Sequence, residues 1–294
     1  MLGRVHQGSL IKDRNKNNAI TIAIKTLKEP HDEDQRNTFI YEIRIMSFLE
    51  KHPNLVNMSG TYTSSLLKEA KTFLFLEYCS HGDLKNFLIR NKDIIASKVS
   101  TQTDHSIDCC CILMKFSHDV AKGMQYLSRN KIMHGDLAAR NVLVDETKGN
   151  VLVAKVSDFG LSKQFHDNIS YKKEKRLFLP WRWMAYELFK DGLLTLTSDV
   201  WSYGVLIWEI LSLGELPYYR KTQDEVIEIL RIGRRLPCPK VVSKFPSWRF
   251  NDFYEDISKQ CFHENPLKRP CFSEILTLIE SYIPDENADI CVAK

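Results

Sequence analysis

Two acidic side chains and one amide stand at a spacing that could carry phosphoryl chemistry. Asp136 and Asn141 precede a Val-Leu-Val run, and Asp158 follows a second valine-rich stretch. A carboxylate such as Asp136 can accept the proton of an attacking hydroxyl group. Asn141 and Asp158 can hold the Mg²⁺ ions that bridge the phosphates of a nucleotide. A single aspartate on a turn is usually only solvated, but the three residues in this order predict phosphoryl transfer.

An alternating segment near the start of the chain is predicted to present a lysine to the same site. Ile20, Ile22 and Ile24 alternate and predict a strand, with Ala23 and Lys25 on its other face. A small residue and an ammonium group on one face suit an adenine ring and phosphates. A lone lysine on a strand is more often an edge charge, so this interpretation requires a partner.

The expected partner of this lysine is a glutamate in the following helical segment. Glu42 shares one helical stripe with Met46 and Leu49. A carboxylate within an apolar stripe needs a counter-charge. We therefore predict an ion pair between Glu42 and Lys25 that positions the lysine on the nucleotide phosphates.

Several motifs together resemble a protein kinase domain, and more closely a protein tyrosine kinase. Residues 134–141 read His-Gly-Asp-Leu-Ala-Ala-Arg-Asn, and residues 158–160 read Asp-Phe-Gly. Serine/threonine kinases carry a lysine where Ala138 stands, whereas tyrosine kinases carry an arginine in this loop, here Arg140. Residues 179–185, Leu-Pro-Trp-Arg-Trp-Met-Ala, resemble the tyrosine-kinase segment that supports the phenol. The chain is most similar to the fibroblast, platelet-derived and vascular endothelial growth factor receptors and their invertebrate relatives.

This resemblance implies an α+β, bilobal protein kinase fold. A small β-rich N-lobe with one helix is expected to precede a larger α-helical C-lobe, and 294 residues are enough for both. We expect the kinase domain to span residues 1–283 and a tail to span 284–294. The expected subdivisions are an N-lobe at 1–76, a hinge at 77–83 and a C-lobe at 84–283.

The resemblance also implies a role for each candidate residue. Asp136 is expected to be the catalytic base and Arg140 to position the substrate, while Lys25 and Glu42 complete the catalytic set. The expected ligands of Mg²⁺ are Asn141 and Asp158. Leu76 is expected to lie behind the adenine, with the backbone of the hinge binding the purine. The residues expected to bind ATP are Gly3, Val5, Ala23, Lys25, Leu76, Glu77, Cys79 and Leu143.

The chain departs from the family pattern at four places, of which the mildest is Phe262 where a tryptophan is usual. Only Gly3 and the residues after it match the glycine-rich loop, so we expect the first strand and the first part of that loop to be missing, as in a fragment. Gly135 stands where an arginine ordinarily meets the activation-loop phosphate, so phosphorylation of Tyr171 would lose its main charge partner. Lys155 is expected to be solvated and to offer little in its place. Tyr186 replaces the usual proline of an Ala-Pro-Glu segment.

Other segments are predicted to be structural. Residues 91–107 are polar and aperiodic and predict a short kinase insert. Residues 200–213 predict a buried helix, whose neighbour Asp199 should tie it to the backbone of the catalytic loop. Glu187 and Arg269 are expected to form an ion pair within the C-lobe.

Composition excludes several classes of protein. The chain is 44% hydrophobic and 27% charged, with a net charge of +4, as in an ordinary globular protein. No strong basic stripe indicates nucleic-acid binding, and no signal peptide or membrane-spanning apolar run is evident. Eight mostly scattered cysteines predict free thiols in a reducing compartment. We expect a cytoplasmic location, or the cytoplasmic face of the plasma membrane if the chain is a receptor fragment.

Two functions from different classes fit these residues. The first is a protein tyrosine kinase that uses ATP and Mg²⁺ on proteins with tyrosine acceptors, with homodimerisation possible in a receptor context. The second is a pseudokinase that acts as a nucleotide-binding scaffold, which Gly135 and the incomplete glycine-rich loop favour. The complete set of Lys25, Glu42, Asp136, Asn141 and Asp158 favours the enzyme. A serine/threonine kinase fits less well because of Ala138.

Overall fold

A four-stranded antiparallel sheet forms the N-terminal part of the protein. The computed structural model describes residues 3–11, 19–27, 32–63, 72–95, 104–165, 171–172, 180–241 and 250–283. Its strands are β1 (Gly3–Ile11), β2 (Ala19–Leu27), β3 (Met58–Thr63) and β4 (Thr72–Glu77). Their order in the sheet is β1-β2-β4-β3.

The alternation predicted for β2 is present in only part of the strand. Ile22 is 3% exposed, whereas Ile20 is 45% exposed. Strand β4 pairs with β2 only from Ile22 onward, so the start of β2 projects beyond the covered part of the sheet. Lys25 pairs with Val5 of β1 on one side and with Leu74 of β4 on the other, which places the lysine inside the sheet.

One helix packs against this sheet and carries the predicted glutamate. Helix α1 (Glu33–Phe48) begins after Asp32, whose carboxylate accepts the N–H of Gln35 at 3.0 Å. Its buried residues include Glu42 and Met46, as the predicted stripe requires. Leu49 lies just past the helix end and is half-buried. The glutamate is therefore held on the inner face of α1.

The C-terminal part is largely helical, so the predicted α+β bilobal kinase fold is confirmed. Its central helices, α3 (Asp104–Arg129) and α5 (Leu196–Leu211), share one apolar core, and the buried Tyr203 hydroxyl of α5 donates to the carbonyl of Ser117 in α3 at 2.8 Å. The helices are α2 (Leu84–Arg90), α3 (Asp104–Arg129), α4 (Tyr186–Lys190), α5 (Leu196–Leu211), α6 (Gln223–Arg231), α7 (Phe250–Cys261) and α8 (Phe272–Glu280). None of the helices in the described ranges is both long and apolar enough to cross a membrane.

The predicted insert is shorter than expected. Helix α3 already begins at Asp104, before the end of the segment 91–107. The spacing of Ile107 with Cys110 and Cys111 continues the helical period of the residues that follow, although polar residues surround Ile107. The buried helix predicted at 200–213 is present as the main part of α5.

Short paired strands position the polar loops between the lobes. Strands β6 (Ile132–Met133) and β7 (Val142–Glu146) flank the catalytic loop, residues 134–141. Strand β8 (Leu152–Val156) precedes Asp158, and β5 (Gly82–Asp83) adds to the sheet order β5-β7-β8. The remaining pairs are β6 with β9 (Lys163–Gln164) and β10 (Tyr171–Lys172) with β11 (Leu193–Leu194).

Candidate active site

The catalytic loop is anchored to helix α5 by one buried carboxylate. Asp199 accepts the backbone N–H of His134 at 2.7 Å and that of Gly135 at 3.0 Å, as predicted. Burial raises the pKa of Asp199, and the neighbouring His134 and the two N–H groups oppose that shift. Gly135 has a φ of 78°, in the left-handed region that favours glycine. The glycine therefore suits the backbone turn that this anchor holds.

Asp136 is oriented by two neighbouring side chains of the same loop. The Arg140 guanidinium donates to one carboxylate oxygen of Asp136. The Asn141 amide donates to the other oxygen at 2.7 Å and to the Asp136 carbonyl at 2.8 Å. Burial raises the pKa of Asp136, although Arg140 opposes the shift. A carboxylate with a raised pKa is a stronger base, so this position suits proton acceptance from a hydroxyl group.

The predicted ion pair between β2 and α1 is present and extends to a third residue. The Lys25 ammonium lies 2.6 Å from Glu42 Oε1 and 2.8 Å from Asp158 Oδ1. Burial disfavours the charged lysine, but the two carboxylates outweigh burial and raise the pKa of Lys25. Burial acts to raise the pKa of Asp158, but Lys25 outweighs it and lowers that pKa. The lysine is therefore held charged between the sheet, α1 and the Asp-Phe-Gly segment.

Two oxygen donors suit a magnesium ion beside this triad. The Asn141 side-chain nitrogen is used by Asp136, so its amide oxygen is the atom that can ligate a cation. Asp158 uses Oδ1 for Lys25, which leaves its second carboxylate oxygen for a metal. Among the described residues no cluster of three His, Cys, Asp or Glu side chains could hold a metal ion. Mg²⁺ is commonly bound through one or two protein oxygens plus substrate phosphates, so this donor set fits it.

Most of the residues predicted to bind the nucleotide lie in the N-terminal sheet that contains Lys25. Ala23 is the register partner of Leu76, and Val5 is the partner of Lys25. A Cβ atom on Gly3 would lie 2.7 Å from a backbone oxygen and 3.1 Å from the Lys25 Cγ, so glycine allows β1 to approach the lysine. Leu143 lies on β7, in the β7–β8 hairpin of the C-lobe.

The hinge is tied to the C-lobe by a polar network that includes a lysine. The Glu77 carboxylate accepts the Asn57 N–H at 2.7 Å and the Lys155 ammonium at 2.9 Å. Lys155 is only 9% exposed, so the expectation that it is solvated was wrong. The carboxylate of Glu77, which is distant in sequence, neutralises the buried ammonium of Lys155. The Glu77 N–H donates to the Asn57 carbonyl at 3.0 Å, so this N–H is already used within the protein.

The hinge cysteine points into the protein. Cys79 is 7% exposed, and burial raises the pKa of its thiol to about 12. The thiolate is the reactive form of cysteine, so this thiol is chemically inert near neutral pH. Only the backbone of Cys79 is therefore suited to contact a ligand. The four cysteines whose side chains are described are Cys79, Cys238, Cys261 and Cys271, and they are free thiols.

A glutamate that was not predicted to belong to the site connects the catalytic loop to Trp183, in the segment predicted to support the phenol. Glu209 Oε2 accepts the Ala139 N–H and the Trp183 Nε1–H, each at 2.8 Å. The Arg140 guanidinium lies over the Trp183 ring, 4.2 Å from its centroid. The sequence held a signal for this contact, because an acidic residue inside an apolar helix must find buried partners.

The activation segment ends in the predicted ion pair. Arg269 donates to both carboxylate oxygens of Glu187, at 2.6 and 2.9 Å. Tyr186 occupies the first position of α4, so the helix forms without the usual proline. The backbone of Tyr171 pairs with Leu194, while its side chain and residues 173–179 lie outside the described part of the chain.

The sequence is similar to known proteins over nearly its whole length. A family model described as protein tyrosine and serine/threonine kinase matches residues 1–279. A fibroblast growth factor receptor of Ciona intestinalis is 35% identical over 294 residues, which cover 97% of this chain and 37% of that receptor. A fibroblast growth factor receptor of Hydra vulgaris is 33% identical, and the match covers 97% of this chain and 33% of that receptor. The tyrosine-protein kinase transmembrane receptor Ror of Drosophila melanogaster is 37% identical, and the match covers 95% of this chain and 37% of that receptor. The chain thus spans about a third of the length of these relatives.

Proposed function

This chain belongs to the protein tyrosine and serine/threonine kinase family, and we propose that it transfers the γ-phosphoryl group of ATP to tyrosine hydroxyls in proteins. One observation carries the proposal above the others. Lys25 bridges Glu42 and Asp158, while Asp136 is held by Arg140 and Asn141. The two groups together supply a phosphate-binding cation and a fixed base.

In the proposed reaction the oxygen of the substrate hydroxyl bonds to the γ-phosphorus, and Asp136 accepts the proton of that hydroxyl. The bond between the γ-phosphorus and the bridging oxygen breaks, and ADP leaves. Lys25 interacts with the phosphates and stays charged because Glu42 and Asp158 neutralise it. Asn141 and Asp158 would hold Mg²⁺, which neutralises charge on the phosphates.

We assign the nucleotide site to the strands around Lys25 and to the hinge. Ala23 and Leu76, which pair across β2 and β4, would contact the adenine from the N-lobe, and Leu143 would contact it from the C-lobe. The backbones of Glu77 and Cys79 would bind the purine edge. Gly3 and Val5 would lie over the phosphates, because β1 runs beside Lys25.

Selectivity for tyrosine rests on the residues around the acceptor position. Ala138 supplies no lysine to the catalytic loop, and Arg140 stacks on Trp183 beside the base. An aromatic and cationic wall of this kind suits a long, planar phenol better than a short serine side chain. The Drosophila relative that is named a tyrosine-protein kinase supports the same acceptor.

The relatives also support a cellular setting. They are growth factor and transmembrane receptors, and this chain matches little more than a third of each. We infer that the domain acts at the cytoplasmic face of the plasma membrane, on protein substrates, and pairs with a second copy.

The alternative function is a nucleotide-binding pseudokinase, which Gly135 favours because it removes a cation of the catalytic loop. The test is incubation of the purified chain with Mg²⁺ and ATP labelled on the γ-phosphate. Matched peptides differing only in a tyrosine, serine or phenylalanine acceptor serve as substrates, and Asp136→Asn is the control. We expect label on the tyrosine peptide alone and none with the variant. Nucleotide binding without transfer would favour the scaffold, and equal use of serine would reject the selectivity.

A further inference from the structure

A continuous line of contacts runs from helix α5 to the catalytic base. It begins at Glu209, which is 1% exposed, and passes through the Trp183 indole, whose Nε1–H donates to Glu209 Oε2 at 2.8 Å. The Arg140 guanidinium lies 4.2 Å from the Trp183 ring centroid and donates to the Asp136 carboxylate. Each link joins the next by a directional contact.

We propose that Glu209 is a positioning residue that fixes Arg140 at the acceptor site through the indole of Trp183. The inference rests on the proposed transfer to tyrosine and identifies what orients the arginine for that step. Neither Glu209 nor Trp183 touches the reacting atoms in this scheme. They act through Arg140, which contacts Asp136.

The indole is held at two ends, and this makes it a rigid support. The indole N–H of Trp183 donates to Glu209, and the backbone carbonyl of Trp183 accepts the Ser202 hydroxyl at 2.9 Å. Glu209 and Ser202 both belong to helix α5. An arginine side chain has many rotamers, and stacking on an aromatic face limits them. The Arg140 side chain is 35% exposed, so without this support it would be free to leave Asp136.

The charge of Glu209 is expected to strengthen the stacking. A charged carboxylate that accepts the indole N–H increases the electron density on the face of the ring. The guanidinium lies over that face and is attracted more strongly. The groups facing the carboxylate are the Ala139 N–H, Trp183, Arg140 and, farther away, Lys85. Burial raises the pKa of Glu209 to about 7, and these groups oppose the shift. The stacking should therefore weaken as pH falls below about 7, although a carboxyl group protonated on Oε1 still accepts both N–H groups at Oε2.

The first test separates the tryptophan contact from general stability. Trp183→Phe keeps a ring but removes the N–H donor to Glu209. Trp208→Phe is the matched control, because its indole N–H donates at 2.9 Å to the Pro237 carbonyl instead. We expect kcat on a tyrosine peptide to fall roughly tenfold in Trp183→Phe, with ATP affinity unchanged and the control close to wild type. Equal losses in both variants would overturn the proposal.

The second test asks whether Glu209 acts through the tryptophan. Glu209→Gln should lower kcat and remove an inflection near pH 7 from the kcat profile. In the Trp183→Phe background the same substitution should have little further effect, because the link is already broken. Fully additive losses would mean that Glu209 supports the loop by another route, and the proposal would fail.

A readout independent of activity separates this proposal from the proposed function. Nuclear magnetic resonance of Arg140, assigned with Arg140→Lys, should show ring-current shifts from the indole face. These shifts should diminish in Trp183→Phe and in Glu209→Gln. An inactive wild-type protein that shows the shifts and their loss would reject the proposed transfer but keep the positioning contact. Arg140 signals that are the same in all variants would overturn the positioning contact, whatever the activity.

Discussion

Replacement of Gly135 by alanine is expected to destabilise the protein through two separate effects. The residue has a φ of 78°, and a Cβ atom there would lie 2.8 Å from the carbonyl oxygen of Leu161. Its N–H is bound to Asp199 at 3.0 Å, so the backbone cannot rotate away without breaking that bond. Leu161 follows the Asp-Phe-Gly segment closely, and a shift there would be transmitted to Asp158.

The magnitude follows from the two effects and from a matched position. The left-handed conformation costs an L-residue about 1–2 kcal/mol. A contact shorter than normal van der Waals distance against backbone adds about 1–2 kcal/mol, as in overpacked interiors. Gly233 has the same φ of 78° but would place its Cβ in open space. Gly233→Ala should therefore cost only about 1–2 kcal/mol, and Gly135→Ala about 2–4 kcal/mol.

Thermal and urea unfolding of both variants measure the difference. In proteins of this size about 1 kcal/mol corresponds to a Tm change of roughly 2–4 °C, so Gly135→Ala should melt several degrees below Gly233→Ala. Mg²⁺-dependent binding of ATP should also weaken in Gly135→Ala alone. If the two variants lose equal stability and bind ATP equally, the close contact with Leu161 has no energetic role and the reasoning is refuted.

Three further outcomes are expected. Asp136→Asn should abolish transfer while ATP binding, measured by calorimetry, persists, and wild-type turnover in that variant would remove the base from this position. Tyr171→Phe should lower turnover by less than about tenfold, because Gly135 supplies no guanidinium to a phosphate; loss of nearly all activity in a folded, ATP-binding domain would contradict this. Glu209 has a pKa of about 7 in the folded protein against a usual 4.5, so the native state retains its proton between these values. The contribution of Glu209 to stability is thus complete below about pH 4.5 and is lost as pH rises to about 7, by roughly 3 kcal/mol at most. Urea unfolding at pH 5 and pH 8 should show that Glu209→Gln gains stability relative to wild type at the higher pH. If the difference in unfolding free energy between the two proteins is the same at both pH values, the raised pKa of Glu209 is rejected.

Much of the site could be predicted because buried charges must have partners. Glu42 lay in an apolar stripe and Lys25 on a strand facing a cleft, and this pattern was enough to expect their ion pair. Asp199 at the start of an apolar helix was likewise expected to bind the catalytic-loop backbone. In these cases the sequence shows both the cost of burial and the kind of group that offsets it.

The remaining contacts depend on distances that spacing does not encode. Lys155 lies on a short strand, and nothing near it in the sequence indicates that Glu77 would cover it. The anionic residue Glu209 was visible inside its helix, but the choice of Trp183 as its partner follows only from the packing of residues 180–185 on α5. The start of α3 was missed because the polar residues around Ile107 hide its helical period.

Helix α5 sets the length of the catalytic loop. Asp199 binds the beginning of that loop, and Glu209 binds Ala139 near its end. Two residues of one helix therefore fix both ends of the catalytic loop. The ten intervening steps correspond to about 15 Å along a helix. One residue inserted between the two acids would turn Glu209 by about 100° around the axis and release it. The number of residues between these two acids is therefore fixed by the catalytic loop that both of them bind.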